Sequence, residues 1–194
     1  MLVIGLDLGT QSVKAIVCDA GLAVRGEHAV GYVTQHPEPD QAEQDPQAWE
    51  AALGPAIAGA LAEAGVGPAA IAAIAIAGQL DGCIALDAAG RALHPALIWQ
   101  DRRAVAEAGR ADAVRVFALT GQVADPGHMA PKIAWLRGRH PAAARFHQPV
   151  SYLVERLTGE AVIDPALAST TMLLELAAPG GPRWAAPLCE AFAI

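Results

Sequence analysis

Lysine and cysteine are both scarce in this chain of 194 residues. Only two of its thirteen basic residues are lysines, Lys14 and Lys132. The three cysteines are Cys18, Cys83 and Cys189. An odd number of widely spaced cysteines without a CxxC pair predicts neither a disulfide framework nor a zinc site. This cysteine usage is typical of a reducing compartment, and we expect a cytoplasmic protein.

The sequence also has no long apolar run and no excess of positive charge. No uninterrupted run reaches the roughly 18 to 20 apolar residues of a membrane span. The first residues lack the basic flank of a signal peptide. A net charge of -7 and a pI near 5.3 are unfavourable for a general binder of nucleic acid or anionic membranes. We therefore expect neither partner, and a bound phosphate would have to be held by a local site.

The overall composition is that of a globular chain. Hydrophobic residues make up 54% and charged residues only 17%, which excludes an intrinsically disordered protein. Glycine and proline are too few and too irregular for a collagen-like chain. The length allows one large domain or two small ones, and neither a repeat nor a low-complexity linker divides the chain.

The first half of the sequence predicts a β-meander, a helix and a further strand. The strands of the meander are expected at Leu2–Leu8, Val13–Asp19 and Leu22–Tyr32. Asp45 is a natural N-cap for a helix over Pro46–Ala64, which ends at Gly65. The apolar run Ile71–Ile76 predicts a strand buried between layers, and the preceding helix, as a crossover, makes this strand parallel to its neighbour.

The second half is predicted to be mostly helical. Strands are expected at Cys83–Asp87 and Leu93–Trp99. Helices are expected at Arg102–Leu119, with Asp101 as N-cap, and at Pro131–Arg139, Pro149–Leu157 and Ala166–Leu176. A mixed sheet opened by a hairpin differs from the alternating Rossmann pattern, and neither GxGxxG nor GxxxxGK[ST] occurs. A P-loop mechanism is therefore excluded.

The segment from Gly5 to Lys14 carries the clearest chemistry. Asp7 ends an apolar strand, where a carboxylate is costly unless a cation meets it, and hydrated magnesium is a typical partner. Gly9 allows a turn with positive φ and close approach of an anion. The side chains that add donors to this turn are Thr10, Gln11 and Ser12, and Lys14 follows on the returning strand. The pattern predicts a phosphate cradle, against the alternative of an ordinary polar hairpin.

The string Asp-x-Gly-Thr-x-x-x-Lys near the N-terminus resembles the first phosphate motif of the actin-like ATPase superfamily. Later motifs resemble those of one branch, the FGGY carbohydrate kinases, in the same order over essentially the whole chain. These motifs are Ala42–Pro46, Ile76–Gly82, Ile98–Arg103, Thr120–Gly121, Ala130–Leu136, Tyr152–Leu153 and Leu157–Gly159.

The resemblance implies an α/β fold of the ribonuclease H-like, actin-like ATPase type, with a mixed sheet opened by a β-meander and flanked by helices. Residues 1–194 would be an incomplete N-terminal, sugar-binding domain of such a kinase, without its C-terminal ATPase domain. The aspartate that acts as catalytic base in the family is expected beyond Ile194, so none of the residues here is assigned that role. We expect the chain alone to be inactive.

The resemblance also implies the roles of individual residues. The nucleotide end, which binds ATP and magnesium, would comprise Asp7, Gly9, Thr10, Gln11, Ser12 and Lys14, with Asp7 on the metal. The sugar pocket would comprise Gln79, Leu80, Asp81, Trp99, Asp101 and Arg102. We assign Lys132 and Trp135 structural roles and Asp164 a structural or pocket-rim role. The expected partners are a small sugar or polyol and a second copy of the chain in a homodimer.

One departure from the family pattern bears on the substrate. Members that phosphorylate xylulose have Gly-Gln-Met-His-Gly where this chain has Gly78-Gln-Leu-Asp81-Gly82. The change replaces an imidazole with a carboxylate acceptor, which suits an additional hydroxyl. A ketopentose such as D-xylulose and a polyol such as a pentitol or erythritol therefore both stay open. Met129 also replaces the small or hydroxylated residue that is usual before Ala-Pro-Lys.

Two other functions remain as alternatives at this point. One is a non-catalytic relative that binds a sugar or a partner protein and retains the phosphate turn as a relic. The other is a different actin-like ATPase, such as a chaperone or a filament protein. The latter predicts no sugar binding at all, and hence no effect of Trp99→Ala.

Overall fold

The computed structural model describes residues 1–194, apart from the side chain of Val114. The strands are β1 (Leu2–Leu8), β2 (Ser12–Asp19), β3 (Val24–Gly31), β4 (Glu43–Gln44), β5 (Ile71–Gly78), β6 (Ile84–Leu86), β7 (Ala96–Leu97), β8 (Arg145–His147), β9 (Leu174–Glu175) and β10 (Arg183–Trp184). The helices are α1 (Pro46–Ala64), α2 (Val105–Ala108), α3 (Ala113–Thr120), α4 (Met129–Arg139), α5 (Pro149–Thr158), α6 (Pro165–Thr170) and α7 (Ala186–Ala191), with a 3₁₀ turn at Pro68–Ala70.

The chain forms two compact units. The first comprises Met1–Thr34 and Asp45–Gln79, and the second comprises Gln35–Gln44 and Leu80–Ile194. In the first unit a four-stranded sheet has the order β3-β2-β1-β5. The strand pairs β1–β2 and β2–β3 are antiparallel, whereas β5 runs parallel to β1. The predicted meander and the predicted parallel strand are both confirmed.

Helix α1 begins and ends where its sequence predicts. The Asp45 side chain accepts a hydrogen bond from the Gln47 N–H, Pro46 occupies the first turn, and Gly65 ends the helix with φ +66°. The helix packs on β2 and β3. Gly26 makes this packing possible, because a Cβ there would lie 2.5 Å from the Ala64 nitrogen.

The prediction that the Ile71–Ile76 strand is buried between layers is wrong. Most residues of β5 are exposed, and Ile74 retains 49% of its accessible surface. The physical reason is position, since β5 lies at the end of the sheet order and is paired with β1. An apolar sequence therefore indicated a strand correctly but did not indicate what covers it.

The second unit is built around α4. Its apolar side chains pack with β6, β7 and the C-terminal segment in one buried cluster, which includes Cys83, Leu97, Ile133, Leu136, Met172, Leu188 and Phe192. The same unit contains three short antiparallel strand pairs, β4–β7, β6–β8 and β9–β10. Asp164 caps α6 by accepting from the Ala166 and Leu167 N–H groups, which is the structural side of its predicted role.

The single predicted helix over Arg102–Leu119 is also wrong, because the structure has two short helices there. The first, α2, ends at Gly109, and Asp112 starts α3 by accepting from the Arg115 N–H. Asp101 therefore caps no helix. The strand expected at Leu93–Trp99 is reduced to β7, and the last predicted helix ends at Thr170, before β9.

Among the described residues, no helix is both long and apolar enough to cross a membrane.

Candidate functional site

The predicted phosphate turn joins β1 to β2 in the first unit. Asp7 and Lys14 are direct partners in the antiparallel register and both are exposed, so their side chains stand on the same face of the sheet. A carboxylate and an ammonium group therefore stand side by side at the mouth of the turn.

Hydrogen bonds from the backbone and from a neighbouring strand end fix the turn. The Gly9 N–H donates to the Ser12 carbonyl at 3.0 Å. The Tyr32 hydroxyl donates to the Gly9 carbonyl, and the Thr34 hydroxyl donates to the Thr10 carbonyl at 3.4 Å. Burial, and to a lesser extent the charge of Asp7, raises the pKa of Tyr32, which keeps this phenol a donor.

The expected positive φ at Gly9 is not found, since Gly9 is not among the positive-φ glycines of the described backbone. Its role is close approach instead, because a Cβ there would lie 3.3 Å from the Ser12 carbonyl oxygen. The bare backbone leaves space for an anion beside Thr10, Gln11 and Ser12.

The turn fits a phosphate with a hydrated divalent cation. Among the described residues no three His, Cys, Asp or Glu side chains gather into a group that could hold a metal ion. One carboxylate next to a phosphate cradle is how Mg²⁺ is usually held, with water and phosphate oxygens completing its shell. Asp7 would be that carboxylate.

Gln79, expected in the sugar pocket, belongs to the first unit. Its N–H donates to the Leu8 carbonyl at 2.8 Å, and its side-chain amide donates to the Gly9 carbonyl at 3.4 Å. The structure therefore places Gln79 against the phosphate turn.

Four of the six predicted sugar-pocket residues line one cavity of about 390 Å³ in the second unit. They are Leu80, Asp81, Trp99 and Arg102. Trp99 keeps 46% of its surface exposed, so its indole offers an apolar face to a ligand. The cavity thus combines an aromatic wall with charged hydrogen-bonding groups, as sites for small polar molecules do.

Two carboxylates of the cavity are each met by a basic side chain. Asp125 accepts from the Arg102 guanidinium at 2.7 Å, and Asp81 Oδ2 lies 3.2 Å from His128 Nδ1. The hydrogen bond from Arg102 is the main cause that lowers the pKa of Asp125. The same bond raises the pKa of Arg102. Both groups of this pair stay charged across the physiological range.

Lys132 is buried beneath the cavity and links three of the backbone segments that form it. The side chain is fully buried, and its ammonium donates to the carbonyls of Asp81 and Ile98, each at 2.8 Å, and of Gly127 at 2.5 Å. These carbonyls belong to the three segments that carry the Asp81, Trp99 and Asp125 side chains. The structural role expected for Lys132 is therefore that of fixing the pocket backbone.

Asp101 and Trp135 lie in a second structural cluster. Asp101 is fully buried, and its carboxylate accepts from the Ala42 N–H at 2.8 Å and from the Arg103 guanidinium at 2.7 Å. Trp135 lies under the guanidinium groups of Arg103 and Arg139, at 5.0 and 3.8 Å from the ring centre. Asp101, expected to contact the sugar, is thus committed to the protein's own backbone and to Arg103.

Asp125 and His128 are the pocket residues that the sequence did not reveal. They lie between the Thr120–Gly121 and Ala130–Leu136 motifs, in a loop with no regular pattern. The sequence signal that could have revealed them is an acidic residue and a histidine shortly before the helix that carries the Ala130–Leu136 motif.

A larger and mainly apolar cavity of about 520 Å³, which includes Trp184, lies elsewhere in the same unit.

Comparisons with known proteins show the family of this chain. Residues 2–194 match the model of the N-terminal domain of the FGGY family of carbohydrate kinases. The xylulose kinase of Klebsiella pneumoniae is 35% identical over 184 residues, which cover 90% of this chain and 37% of that protein. The glycerol kinase of Methylibium petroleiphilum is 37% identical over 209 residues, which cover 98% of this chain and 41% of that protein.

The fold agrees as well. The crystal structure of xylulose kinase from Rhodospirillum rubrum superposes with a TM-score of 0.89 at 27% identity, covering 100% of this chain and 41% of that one. The chain thus spans about two fifths of the length of the relatives it matches. The predicted actin-like ATPase fold is confirmed, and the chaperone and filament alternatives are set aside. The chain belongs to the FGGY family of carbohydrate kinases, whose N-terminal domain it matches.

Proposed function

We propose that this chain is the N-terminal part of an ATP-dependent kinase that phosphorylates a ketopentose such as D-xylulose, or a polyol. The observation that carries the proposal is the cavity in which Leu80, Asp81, Trp99 and Arg102 meet. The expected setting is a cytoplasmic homodimer. No residue of 1–194 is proposed as the catalytic base.

Each residue of the cavity would make a different kind of contact with a bound sugar. The Trp99 indole would pack on the carbon chain, since an aromatic face matches the C–H groups of a sugar. Arg102, held by Asp125, would donate to hydroxyl or carbonyl oxygens, and Asp81 would accept from hydroxyls. Binding energy from several such contacts would orient the hydroxyl that receives the phosphate.

The phosphate turn would bind the nucleotide end. Lys14 would neutralise a phosphate oxygen, the amides and hydroxyls of Thr10, Gln11 and Ser12 would donate to others, and Asp7 would hold Mg²⁺ through its carboxylate. Magnesium would supply charge neutralisation for the transferred group when bound. Phosphoryl transfer depends mainly on such positioning and neutralisation, so these residues suit the chemistry.

A non-catalytic sugar-binding module remains the second candidate. The observation that favours it is that the Trp99 cavity and its supporting Lys132 contacts both lie within the second unit. It predicts sugar binding that is unaffected by nucleotide.

Calorimetric titration separates the two candidates. We expect D-xylulose or a pentitol to bind, Trp99→Ala to weaken that binding about tenfold because the aromatic face is lost, and Mg·ATP to change the sugar affinity. Trp184→Ala is the matched control, since that residue lines a different cavity. Sugar binding without any response to Mg·ATP would favour the non-catalytic module, and no sugar binding at all would contradict both candidates.

A further inference from the structure

His128 lies in the proposed sugar cavity but in none of the motifs that carry the family resemblance. Its Nδ1 lies 3.2 Å from Asp81 Oδ2, and only 17% and 13% of the two side chains are exposed. The two side chains therefore face each other in a partly dehydrated setting, where polar interactions are stronger than they are in water.

Asp81 is fixed on its other sides too. Its N–H donates to Gln148 Oε1 at 3.2 Å, and its carbonyl accepts from Lys132 at 2.8 Å. Its φ of +59° lies in the left-handed region, which Asp and Asn adopt more readily than most residues. The backbone of Asp81 is thus held in place before any ligand binds.

The other carboxylate oxygen of Asp81 is left over. Oδ1 is buried and has no hydrogen-bond partner among the described residues. The second carboxylate of the cavity differs, because Asp125 accepts from Gly127 N–H on Oδ1 and from Arg102 on Oδ2, both at 2.7 Å. Asp81 is therefore the cavity carboxylate with acceptor capacity to spare, and a buried acceptor without a donor is costly.

We infer that Asp81 and His128 together select a polyol over a ketose, with a substrate hydroxyl donating to the Asp81 carboxylate beside the His128 imidazole. A hydroxyl satisfies the free oxygen, whereas a ketone oxygen has no proton to donate and sets lone pairs against a carboxylate. A polyol carries a hydroxyl on every carbon. This inference rests on the proposed sugar-binding function and names its substrate class.

Three ligands that differ only at carbon 2 test this inference: D-xylulose and the two products of its reduction there, xylitol and D-arabinitol. Calorimetry on the wild-type chain is expected to show at least one pentitol binding tenfold or more tighter than D-xylulose. Asp81→Asn retains the shape and tolerates the positive φ, yet puts an amide in place of the carboxylate, so the preference should shrink to threefold or less. Glu160→Gln, at an exposed site, removes one negative charge as a matched control and should leave the preference unchanged.

His128 has its own pair of variants, which keeps the test decisive if Asp81→Asn does not fold. His128→Gln places an amide donor near Oδ2 and should keep most of the pentitol preference, whereas His128→Phe fills the space without a donor and should lose it. A wild-type chain that binds D-xylulose as tightly as both pentitols, or variants that leave the ratio unchanged, would overturn this inference alone. Failure of all three ligands to bind would overturn the proposed sugar-binding function with it.

Discussion

Lys132 is the residue on which the pocket depends most. It is one of two lysines in the chain, it is fully buried, and its three ammonium protons meet three backbone carbonyls. Lys132→Met would leave those carbonyls without a donor, at a cost of about 1 kcal/mol or more for each group. We expect the free energy of unfolding, measured by urea titration, to fall by about 3 kcal/mol. Lys14→Met, on the exposed lysine, is the control and should change it by less than about 0.5 kcal/mol.

The titration of Lys132 gives a second, independent signal. Burial lowers its pKa from 10.5 to about 8, against the opposing charge of Asp101. The unfolded chain therefore holds this proton more tightly than the folded chain between these two pH values. By linkage, the stability of the wild type relative to Lys132→Met should rise from pH 8 to pH 10.5 and be lost again as the pH falls. A stability difference that is flat over this window would contradict the assignment.

At the scale of elements, the α1–β3 contact depends on the lack of a side chain at Gly26. A Cβ there would meet the backbone of α1 at the Ala60 carbonyl and, at 2.5 Å, the Ala64 nitrogen. Gly26→Ala should push the helix off the sheet and lower the free energy of unfolding by about 2 kcal/mol or more, as overpacking does. Gly31→Ala on the same strand is the control, because its nearest atom would lie at an ordinary 3.6 Å. Equal stability of the two variants in urea unfolding would contradict this account of the packing.

The elements also show where sequence reasoning succeeds. Helix α1 was predictable at both ends because Asp45, Pro46 and Gly65 act on their own neighbours. The Arg102–Leu119 prediction failed because apolar periodicity carried across Gly109, while the local N-cap at Asp112 restarts the helix. Helix ends set by neighbouring residues can be predicted from a sequence. The exposure of β5 cannot, because it depends on what packs against the strand.

The candidate site divides in the same way. Leu80, Asp81, Trp99 and Arg102 were found through family motifs, and they share a cavity. Asp101 lies in the same Ile98–Arg103 motif as Trp99 and Arg102, yet spacing alone did not show that its carboxylate is buried against Arg103. Asp125 meets Arg102 from 23 residues away, a pairing that only the folded chain reveals.

At the scale of the whole molecule, the negative net charge means that a nucleotide would have to be bound by cationic groups at one place on the surface. With a net charge of -7 the chain repels polyanions, so ATP would need both Mg²⁺ and Lys14 at the turn. We expect Asp7→Asn to weaken Mg·ATP binding about tenfold in a calorimetric titration, since one charged contact is worth about 1.4 kcal/mol or more. Glu38→Gln, exposed and equal in charge change, should bind like the wild type. Equal Mg·ATP affinity in the Asp7 variant would remove Asp7 from the proposed metal site.

The central claim is that the Trp99 cavity is the sugar site. The four tryptophans differ in setting: Trp49 is buried, Trp135 contacts the guanidinium groups of Arg103 and Arg139, and Trp184 lines the other cavity. Their indole N–H signals in a ¹H–¹⁵N NMR spectrum, assigned with single Trp→Phe variants, report each location separately during titration with D-xylulose, xylitol and D-arabinitol. We predict that the Trp99 signal shifts and saturates with at least one of these ligands while the Trp184 signal stays in place. A saturable shift of Trp184 with an unmoved Trp99 would contradict the account.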